Sequence, residues 1–285
     1  MTERALTGKT VVVTGGTAGI GEAAARHLAG LGATVGLVGR DPERGRAVAN
    51  SLTNDANTGG AELFLADLSD LSDVRRLASE IQTRFDRVDV LFNNAGVDVG
   101  KRITTADGLE LTFVVNYLAP FLLTNLLLDT LQASAPSRVL TATSGAYRGG
   151  TVDFDDLQSE RRFGQRAYNN SKLELILFTY ELARRLEASR VTANCVDPGF
   201  VKTGLGATMP LGYRLVGALL WPFMVSPERG ADTATWAASD PGLEGVTGAY
   251  FKGRRRIETE AKTHDRATAA RLWQVSASLA GMSTR

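Results

Sequence analysis

The chain has 285 residues, of which 44% are hydrophobic, so it can bury a core large enough for one α/β domain or for two smaller ones. Its 32 basic and 31 acidic residues nearly cancel, which gives no electrostatic reason to expect a nucleic acid or an anionic membrane as a partner. The single cysteine, Cys195, excludes an internal disulfide framework and, with no signal peptide evident, favours a cytoplasmic location. No apolar run is long enough to predict a transmembrane segment, and the two histidines lack the spacing of a metal site, so we expect no metal.

A glycine-rich turn joins the first predicted strand to the first predicted helix. Residues 9–14 are a β-branched run typical of a buried parallel strand, and apolar residues recur at helical spacing from Ile20 until Gly32. Residues 15–21 between them have the sequence Gly-Gly-Thr-Ala-Gly-Ile-Gly. Because amides at a helix N-terminus bind phosphate and glycines let a pyrophosphate approach the backbone, this unit favours dinucleotide binding over a plain turn.

The spacing of these glycines, G-x-x-x-G-x-G after a threonine, resembles that of the short-chain dehydrogenase/reductase family. The resemblance implies coenzyme contacts from Gly15, Thr17, Ala18, Gly19, Ile20 and Gly21. A tetrapeptide after the fourth predicted strand, Asn93-Asn94-Ala95-Gly96, resembles the family's next signature. It implies further contacts from Asn94, Ala95 and Gly96 at the carboxyl end of the sheet, where open α/β sheets bind their ligands.

The end of the second predicted strand indicates which dinucleotide binds. Residues 33–38 form that strand, and Gly39-Arg40-Asp41 follows. In folds of this kind, the residue at this point meets the adenosine ribose, and an arginine suits a 2′-phosphate. Arg40 therefore favours NADP(H), although it could instead be a solvated residue that opens the next helix. Asp41 leaves NAD(H) possible, because a carboxylate could contact the ribose.

Asp67 and Leu68 follow the third predicted strand, residues 61–66. In the family, the pair at this place flanks the adenine ring, so the resemblance implies two more coenzyme contacts. Asp67 taken alone could equally be a cap for the segment that begins after Ser69.

Tyr168 and Lys172 are four residues apart, which places a phenol and an ammonium one turn apart on the same face of a helix. A nearby positive charge lowers the pKa of a tyrosine, so Tyr168 could exchange a proton with a substrate oxygen near neutral pH. The spacing alone arises by chance in many helices. The family resemblance implies that Tyr168 is the catalytic acid or base and that Lys172 also holds the nicotinamide ribose.

Two further catalytic residues are implied by the resemblance. The fifth predicted strand ends in Thr143-Ser144, and the second of these would hold the substrate oxygen, with Thr143 as the alternative if the alignment slips by one. Asn116 lies in a predicted long helix, residues 109–131, interrupted by Pro120. In the family, such an asparagine perturbs the helix and links the lysine to solvent through a water molecule. The alternative for Asn116 is a hydrogen-bonded structural residue.

The helix that carries Asn116 and the helix from Tyr168 to about residue 187 often pair across a dimer in the family. A homodimer is therefore possible, and burial of these helices within one subunit is the alternative. Ser144 and Tyr168 are 24 positions apart, more than in the shortest family members. This longer form resembles the retinol-dehydrogenase-like branch, which by analogy favours a lipophilic alcohol or carbonyl compound as substrate.

A Pro-Gly turn follows the sixth predicted strand, residues 191–196. It resembles the family's turn beside the nicotinamide, which implies coenzyme contacts from Pro198, Gly199, Val201 and Thr203. Asp197 stands where the branch often has histidine. Residues 204–225 mix glycine with aromatic and aliphatic residues and are predicted to form a substrate lid; core packing and a patch resting on a membrane are the alternatives.

These patterns predict a single NAD(P)-binding domain, residues 1–285, with a Rossmann-type doubly wound α/β fold and a mostly parallel seven-stranded sheet. The expected function is NADP(H)-dependent interconversion of an alcohol with an aldehyde or ketone. A second class is a protein that binds the dinucleotide without turnover, as a redox sensor or regulator. The presence of both Tyr168 and Lys172 argues against it.

Overall fold

The computed structural model describes residues 4–55, 58–161, 163–202 and 224–282. In this part of the chain, eight strands form one sheet in the order β3-β2-β1-β4-β5-β6-β7-β8. All neighbours pair in parallel except β7 and β8. The strands are β1 Thr10–Thr14, β2 Thr34–Gly39, β3 Ala61–Leu65, β4 Val90–Asn93, β5 Ser137–Ala142, β6 Val191–Asp197, β7 Tyr250–Lys252 and β8 Arg255–Arg256. The predicted doubly wound fold is confirmed, and the two-residue β8 adds an eighth strand to the seven predicted.

Helices cover both faces of the sheet. On one face, α1, α2 and α8 pack over the strands; on the other, α3, α5 and α7 do so, and α9 packs on α5 and α7. Because both faces are covered, every residue of β1 and of β6 is buried, which accounts for the continuous β-branched run of β1, while β6 also buries the polar residues Asn194 and Asp197. The helices are α1 Gly19–Gly30, α2 Pro42–Thr53, α3 Leu71–Arg84, α4 Leu111–Phe113, α5 Ala119–Leu126, α6 Leu128–Ala133, α7 Gln165–Arg185, α8 Pro227–Ser239 and α9 Arg266–Leu279. None of the helices in the described ranges is both long enough and apolar enough to cross a bilayer.

The predicted long helix over residues 109–131 is divided into several pieces. A π-helical turn, Val114–Leu118, lies between α4 and α5, and α6 follows α5 after Leu127. Pro120 contributes to the division because it has no N–H to offer the carbonyl of Asn116, four residues earlier. The π-turn therefore centres on Asn116, at the position where the sequence predicted a perturbed helix.

The last helix, α9, covers the helices that the sequence left open between a dimer interface and burial in the subunit. Trp273 of α9 lies edge-on to Phe121 of α5 at 5.0 Å and stacks on Phe178 of α7 at 5.8 Å, both measured between ring centroids. The Tyr117 hydroxyl in the π-turn also hydrogen-bonds the Ser276 hydroxyl of α9 at 2.7 Å. These residues of α5 and α7 are therefore buried by the chain's own C-terminal helix.

Candidate active site

The glycine loop packs directly on the Asn-Ala-Gly segment that follows β4. Gly15 has a φ of +63°, a conformation that favours glycine, and a Cβ built on it would lie 3.1 Å from the Ala95 Cα atom. A Cβ on Gly21 would overlap the Gly15 carbonyl oxygen and the Asn94 side chain. The glycines at the start of α1 therefore allow the helix, the loop and the end of β4 to approach one another closely.

Thr14 links the glycine loop to the Asn-Ala-Gly segment through hydrogen bonds. Its Oγ1 accepts hydrogen bonds from the backbone amides of Asn94, at 2.9 Å, and Ala95, at 3.1 Å. In return, Asn94 Nδ2 donates to the Thr14 carbonyl oxygen at 2.8 Å. Asn94 and Ala95 therefore help to fix the loop, whatever contact they make with a coenzyme. Sequence reasoning missed Thr14 as a site residue, although it is the threonine that precedes the glycines.

The N-terminus of α1 points its amides toward this loop without a side-chain cap. Ala18 is the residue before the helix, is extended, and makes no capping hydrogen bond. Gly19 begins the helix with a φ of +55°, and Ile20 follows it. The buried Thr17 packs against Gly39 at the end of β2, where a Cβ would lie 2.7 Å from Thr17 Cγ2. Uncapped amides beside glycines fit a phosphate group.

A cleft of about 440 Å³ opens beside the ends of β2 and β3, where the sequence predicted the adenosine end of the coenzyme. Its lining comprises Arg40, Leu65, Ala66, Asp67, Asp73 and Arg76. Arg76 is paired with Asp73 at 2.5 Å and with Glu80 at 2.6 Å. Arg40 is exposed, and within the described ranges its guanidinium has no hydrogen-bond or ion-pair partner. Arg40 is therefore the lining arginine that is not committed to a carboxylate of the chain.

The acids near this cleft are engaged in capping and turns. The Asp41 carboxylate caps α2 by accepting from the amides of Glu43 and Arg44 at 3.1 and 3.0 Å. Asp67 accepts from the amide and the hydroxyl of Ser69, at 2.9 and 2.8 Å, so it closes a local turn. Leu68 is buried with 8% exposure and packs into the core.

Ser144, Tyr168 and Lys172 come together at the carboxyl end of β5. The Ser144 hydroxyl lies close enough to the Tyr168 phenol to lower its pKa, and it accepts a hydrogen bond from the Ala146 amide at 3.2 Å. The Lys172 ammonium lies 5.4 Å from the centroid of the Tyr168 ring and donates to the carbonyl oxygen of Ala142 at 3.1 Å. Thr143 faces away from this group, since its hydroxyl lies 3.4 Å from the Val196 carbonyl oxygen. Of the two neighbouring hydroxyl residues, Ser144 is thus the one that contacts the tyrosine.

Asn116 joins the end of β4 to the helix that carries the tyrosine. Its Oδ1 accepts from the Val97 amide at 2.7 Å, and its Nδ2 donates to the Val97 carbonyl at 2.9 Å. Nδ2 also donates to the Ser171 hydroxyl at 3.0 Å. A Cβ on Gly96 would lie 3.4 Å from Asn116 Oδ1 and 3.8 Å from Lys172 Nζ, so the Gly96 backbone passes close to both side chains. The Asn116 side chain is thus fully engaged in hydrogen bonds within the chain, and its role in proton exchange stays a prediction.

Burial controls the protonation of the Tyr168 and Lys172 pair. It raises the pKa of Tyr168, and the charges of Asp98 and Asp197 raise it further, while the Ser144 hydrogen bond lowers it. Burial also lowers the pKa of Lys172 to about 8, against the charges of Asp197 and Asp98. The net pKa of Tyr168 is therefore raised by burial, whereas the sequence predicted that the Lys172 charge would lower it.

Two acids at this site were not among the predicted functional residues. Asp98, two positions after Gly96, lies close enough to Lys172 and Tyr168 for its charge to affect both, and burial raises its own pKa. Asp197 ends β6 and accepts from the Gly199 amide at 2.8 Å. The sequence signal for Asp98 is a carboxylate just after the Asn-Asn-Ala-Gly motif.

The Pro-Gly turn has the backbone that its sequence predicted. Gly199 has a φ of +79°, and Pro198 borders a small apolar gap beside Ile20. Val201 forms a bridge with Val225 and packs against the start of α8. Thr203, and all but Met224 and Val225 of the predicted lid at 204–225, lie outside the described residues.

Comparison with known proteins agrees with this architecture. The family described as short chain dehydrogenase matches residues 9–212. Retinol dehydrogenase 14 of Homo sapiens is 40% identical over 96% of this chain and 87% of its own length. An uncharacterized protein of Mycobacterium paratuberculosis has a crystal structure with a TM-score of 0.79 and 33% identity, covering 98% of this chain and 96% of that one.

A second solved structure contains a coenzyme. A short chain dehydrogenase from Burkholderia cenocepacia J2315, in complex with NADP, has a TM-score of 0.69 and 26% identity, and the match covers 86% of this chain and 96% of that one. Family match, identity and fold all extend over most of the molecule. The chain therefore belongs to the short-chain dehydrogenase family, in its retinol-dehydrogenase-like branch, and is an alcohol dehydrogenase or carbonyl reductase that uses a nicotinamide dinucleotide.

Proposed function

We propose that this enzyme interconverts a lipophilic alcohol and the corresponding aldehyde or ketone with NADP(H), and that Tyr168 exchanges the proton. The observation that carries the proposal is the convergence of the Ser144 hydroxyl, the Tyr168 phenol and the buried Lys172 ammonium, whose Nζ lies 5.4 Å from the Tyr168 ring centroid, at the carboxyl end of β5. A carbonyl oxygen placed between the two hydroxyls would meet a hydrogen-bond donor and a proton donor at once.

The coenzyme and three side chains each have a separate role in the proposed reaction. When bound, the coenzyme supplies or accepts the hydride at the substrate carbon. In the reductive direction, Tyr168 gives its proton to the substrate oxygen, and Ser144 donates a hydrogen bond to the same oxygen as negative charge develops on it. Lys172 stabilises the tyrosinate left behind and holds the nicotinamide ribose. In oxidation, Tyr168 accepts the proton from the alcohol.

Asn116 supports proton exchange with solvent through its backbone in this proposal. Its side chain is already committed to Val97 and Ser171, so it has little capacity left for a water molecule. The Asn116 carbonyl, by contrast, lies in the π-turn and receives no hydrogen bond from Pro120. A water molecule bound at that carbonyl would be the link between solvent and Lys172 in this proposal.

A preference for NADP(H) over NAD(H) rests on the different states of Arg40 and Asp41. Arg40 is an exposed guanidinium at the edge of the cleft, and a 2′-phosphate would give it an anionic partner. Asp41 uses its carboxylate to cap α2, which leaves it less able to accept hydrogen bonds from ribose hydroxyls. The Burkholderia cenocepacia relative bound to NADP supports the same choice.

The proposed substrate class follows from the relatives and from the mouth of the site. Retinol dehydrogenase 14 is named for a long apolar alcohol, and Phe200 of this chain is 54% exposed just after the Pro-Gly turn. The proposal includes one domain over residues 1–285, with residues 204–225 as the lid, and a cytoplasmic location. The pairing of α5 and α7 across a homodimer stays a prediction, and α9 already covers Phe121 and Phe178 of these helices.

The test is turnover of alcohols, aldehydes and ketones of graded chain length with each of the four coenzyme forms. Wild-type enzyme should reduce apolar carbonyl compounds with NADPH, and Tyr168→Phe should lose about a thousandfold or more in kcat. Tyr180→Phe is the matched control, because Tyr180 lies on the same helix and donates or accepts one bond, to Thr259 at 3.1 Å. Full turnover by Tyr168→Phe would refute the mechanism, and coenzyme binding without any turnover would favour a redox sensor.

A further inference from the structure

A buried carboxylate at the carboxyl end of β6 is held by three partners. Asp197 Oδ1 accepts from the Gly199 amide at 2.8 Å, and Oδ2 accepts from the Tyr250 hydroxyl at 2.8 Å and from Lys252 Nζ at 3.1 Å. The Asp197 side chain is 2% exposed, whereas that of Lys252 is 49% exposed. Solvent therefore screens the Lys252 charge far more than the Asp197 charge.

The sheet places this carboxylate at the same end as the catalytic lysine. Lys172 Nζ donates to the carbonyl of Ala142, and Ala142 is paired with Val196 in the register of β5 and β6. Asp197, the next residue of β6, therefore extends past Ala142 at the carboxyl edge of the sheet. A Cβ on Gly145, directly after Ser144, would lie 3.9 Å from Asp197 Oδ2. The carboxylate thus lies beneath the turn that carries the predicted substrate-binding hydroxyl.

We propose that Asp197 is a positioning residue: its buried charge keeps the Lys172 ammonium protonated at neutral pH, and Tyr250 and Lys252 hold the carboxylate in place. The inference rests on the proposed function, in which Lys172 acts as a cation toward the tyrosinate and the ribose. It also explains why a lysine can be this deeply buried, since an ammonium in the interior needs a nearby anion.

The groups that face Lys172 make Asp197 the principal countercharge. Burial lowers the pKa of Lys172, and the charge of Asp197 opposes this more than that of Asp98, which lies on the loop after β4. The Cys195 thiol of β6 is neutral at neutral pH because burial raises its pKa. The Tyr168 phenol is neutral for the same reason. Asp197 and Asp98 are therefore the carboxylates that act on the Lys172 ammonium, with Asp197 having the larger effect, while the largely exposed Lys252 also pairs with Asp197.

The experiment compares Asp197→Asn with Asp89→Asn. Asp89 is a matched control because its side chain is 4% exposed and accepts from the amide of Thr10 and from Lys9, both at 2.9 Å, at the opposite end of the sheet. For each chain, kcat/KM for carbonyl reduction and the dissociation constant of NADPH are measured from pH 6 to pH 9.5. Urea unfolding reports the stability of each chain.

In wild-type enzyme, both profiles should fall as Lys172 loses its proton near pH 8. In Asp197→Asn, the midpoint should move down by about one pH unit, so that kcat/KM drops about threefold at pH 7.5 and recovers at pH 6. Asp89→Asn should lose stability but keep the wild-type midpoint. If Asp197→Asn does not fold, Asp197→His serves instead, because the family branch often has histidine at this position. Asp197→His should show the same downward shift of the midpoint.

A midpoint that stays within about 0.3 pH unit of wild type in the Asp197 variant would overturn the inference. An equal shift in Asp89→Asn would also overturn it, because any lost buried carboxylate would then have the same effect. The NADPH measurement separates this inference from the proposed function. A shifted binding midpoint without turnover would support the role of Asp197 and refute the oxidoreductase mechanism.

Discussion

Replacing Glu174 by glutamine should stabilise the folded chain above neutral pH. Glu174 faces the interior from α7 with 2% exposure, and its Oε2 atom has no hydrogen-bond partner in the described part of the chain. The neighbouring Glu110 cannot serve as a donor, because its carboxylate accepts from the amides of Thr112 and Phe113 at 2.8 and 2.7 Å. Burial, and then the charge of Glu110, raise the pKa of Glu174 to about 8.

The direction of the pH dependence follows from the protonation of Glu174 in the folded and in the unfolded chain. Between the ordinary pKa of 4.5 and about 8, the folded chain keeps a proton on Glu174 that the unfolded chain has lost. Stability from this group is therefore fully present below pH 4.5 and declines as the pH rises to 8. At about 1.4 kcal/mol per pKa unit, the decline between pH 5 and pH 8 is at most about 4 kcal/mol, and relaxation around the site makes about 2 kcal/mol the expected size.

Urea unfolding at pH 5 and pH 8 measures this decline directly. Glutamine is a neutral replacement of the same shape, so Glu174→Gln should lie within about 1 kcal/mol of wild type at pH 5 and be more stable by about 2 kcal/mol at pH 8. Glu181→Gln is the control: Glu181 is equally buried on α7 but is paired with Arg184 and Arg185, so its loss should destabilise at both pH values. An advantage of Glu174→Gln that is the same at pH 5 and pH 8 would refute the reasoning.

Three further changes test the coenzyme cleft and the packing. Arg40→Ala should raise the dissociation constant of NADPH about tenfold or more and leave that of NADH unchanged. The control Arg44→Ala, which loses only a salt bridge to Asp41, should leave both dissociation constants unchanged. Equal increases for the two coenzymes in Arg40→Ala would contradict the role of Arg40. Thr14→Val removes the acceptor of two backbone amides and should lower the free energy of unfolding in urea by about 2 kcal/mol. An unchanged unfolding midpoint would contradict the role of Thr14 in joining the glycine loop to the Asn94-Ala95 segment. Trp273→Ala should cost about 2 kcal/mol and expose an aromatic face that binds a hydrophobic dye; unaltered stability and dye binding would contradict the packing of α9.

The elements that the sequence predicts well are those whose signal is local. The β-branched run of β1 and the glycines after it predict strand, turn and helix because each depends on neighbours a few residues away. Ser226 followed by Pro227 likewise predicts the start of α8, and Ser226 does cap that helix. The apolar pattern of residues 246–251 predicts the seventh strand, whereas the structure forms it from Tyr250–Lys252, with Gly248 still donating to the Ala193 carbonyl oxygen of β6.

The charges of the site could not be predicted because they depend on distant parts of the chain. The spacing of Tyr168 and Lys172 predicts their proximity, but it carries no information on burial, which reverses the expected effect on the tyrosine. Asp197 acts beside Lys172 only because β5 and β6 are paired, and Glu174 meets Glu110 only because α7 packs on α4. Sequence spacing thus locates the reactive groups, while tertiary packing determines their protonation.

The position of α9 has a consequence for synthesis of the chain. A ribosome makes α5 and α7 long before α9, so Phe121 and Phe178 emerge without the Trp273 ring that later covers them. Until then, the nascent chain presents an uncovered aromatic surface on the very helices that support the reactive tyrosine and lysine. A chain released early, before residue 266, would keep that surface exposed and would be a target for chaperones and proteases.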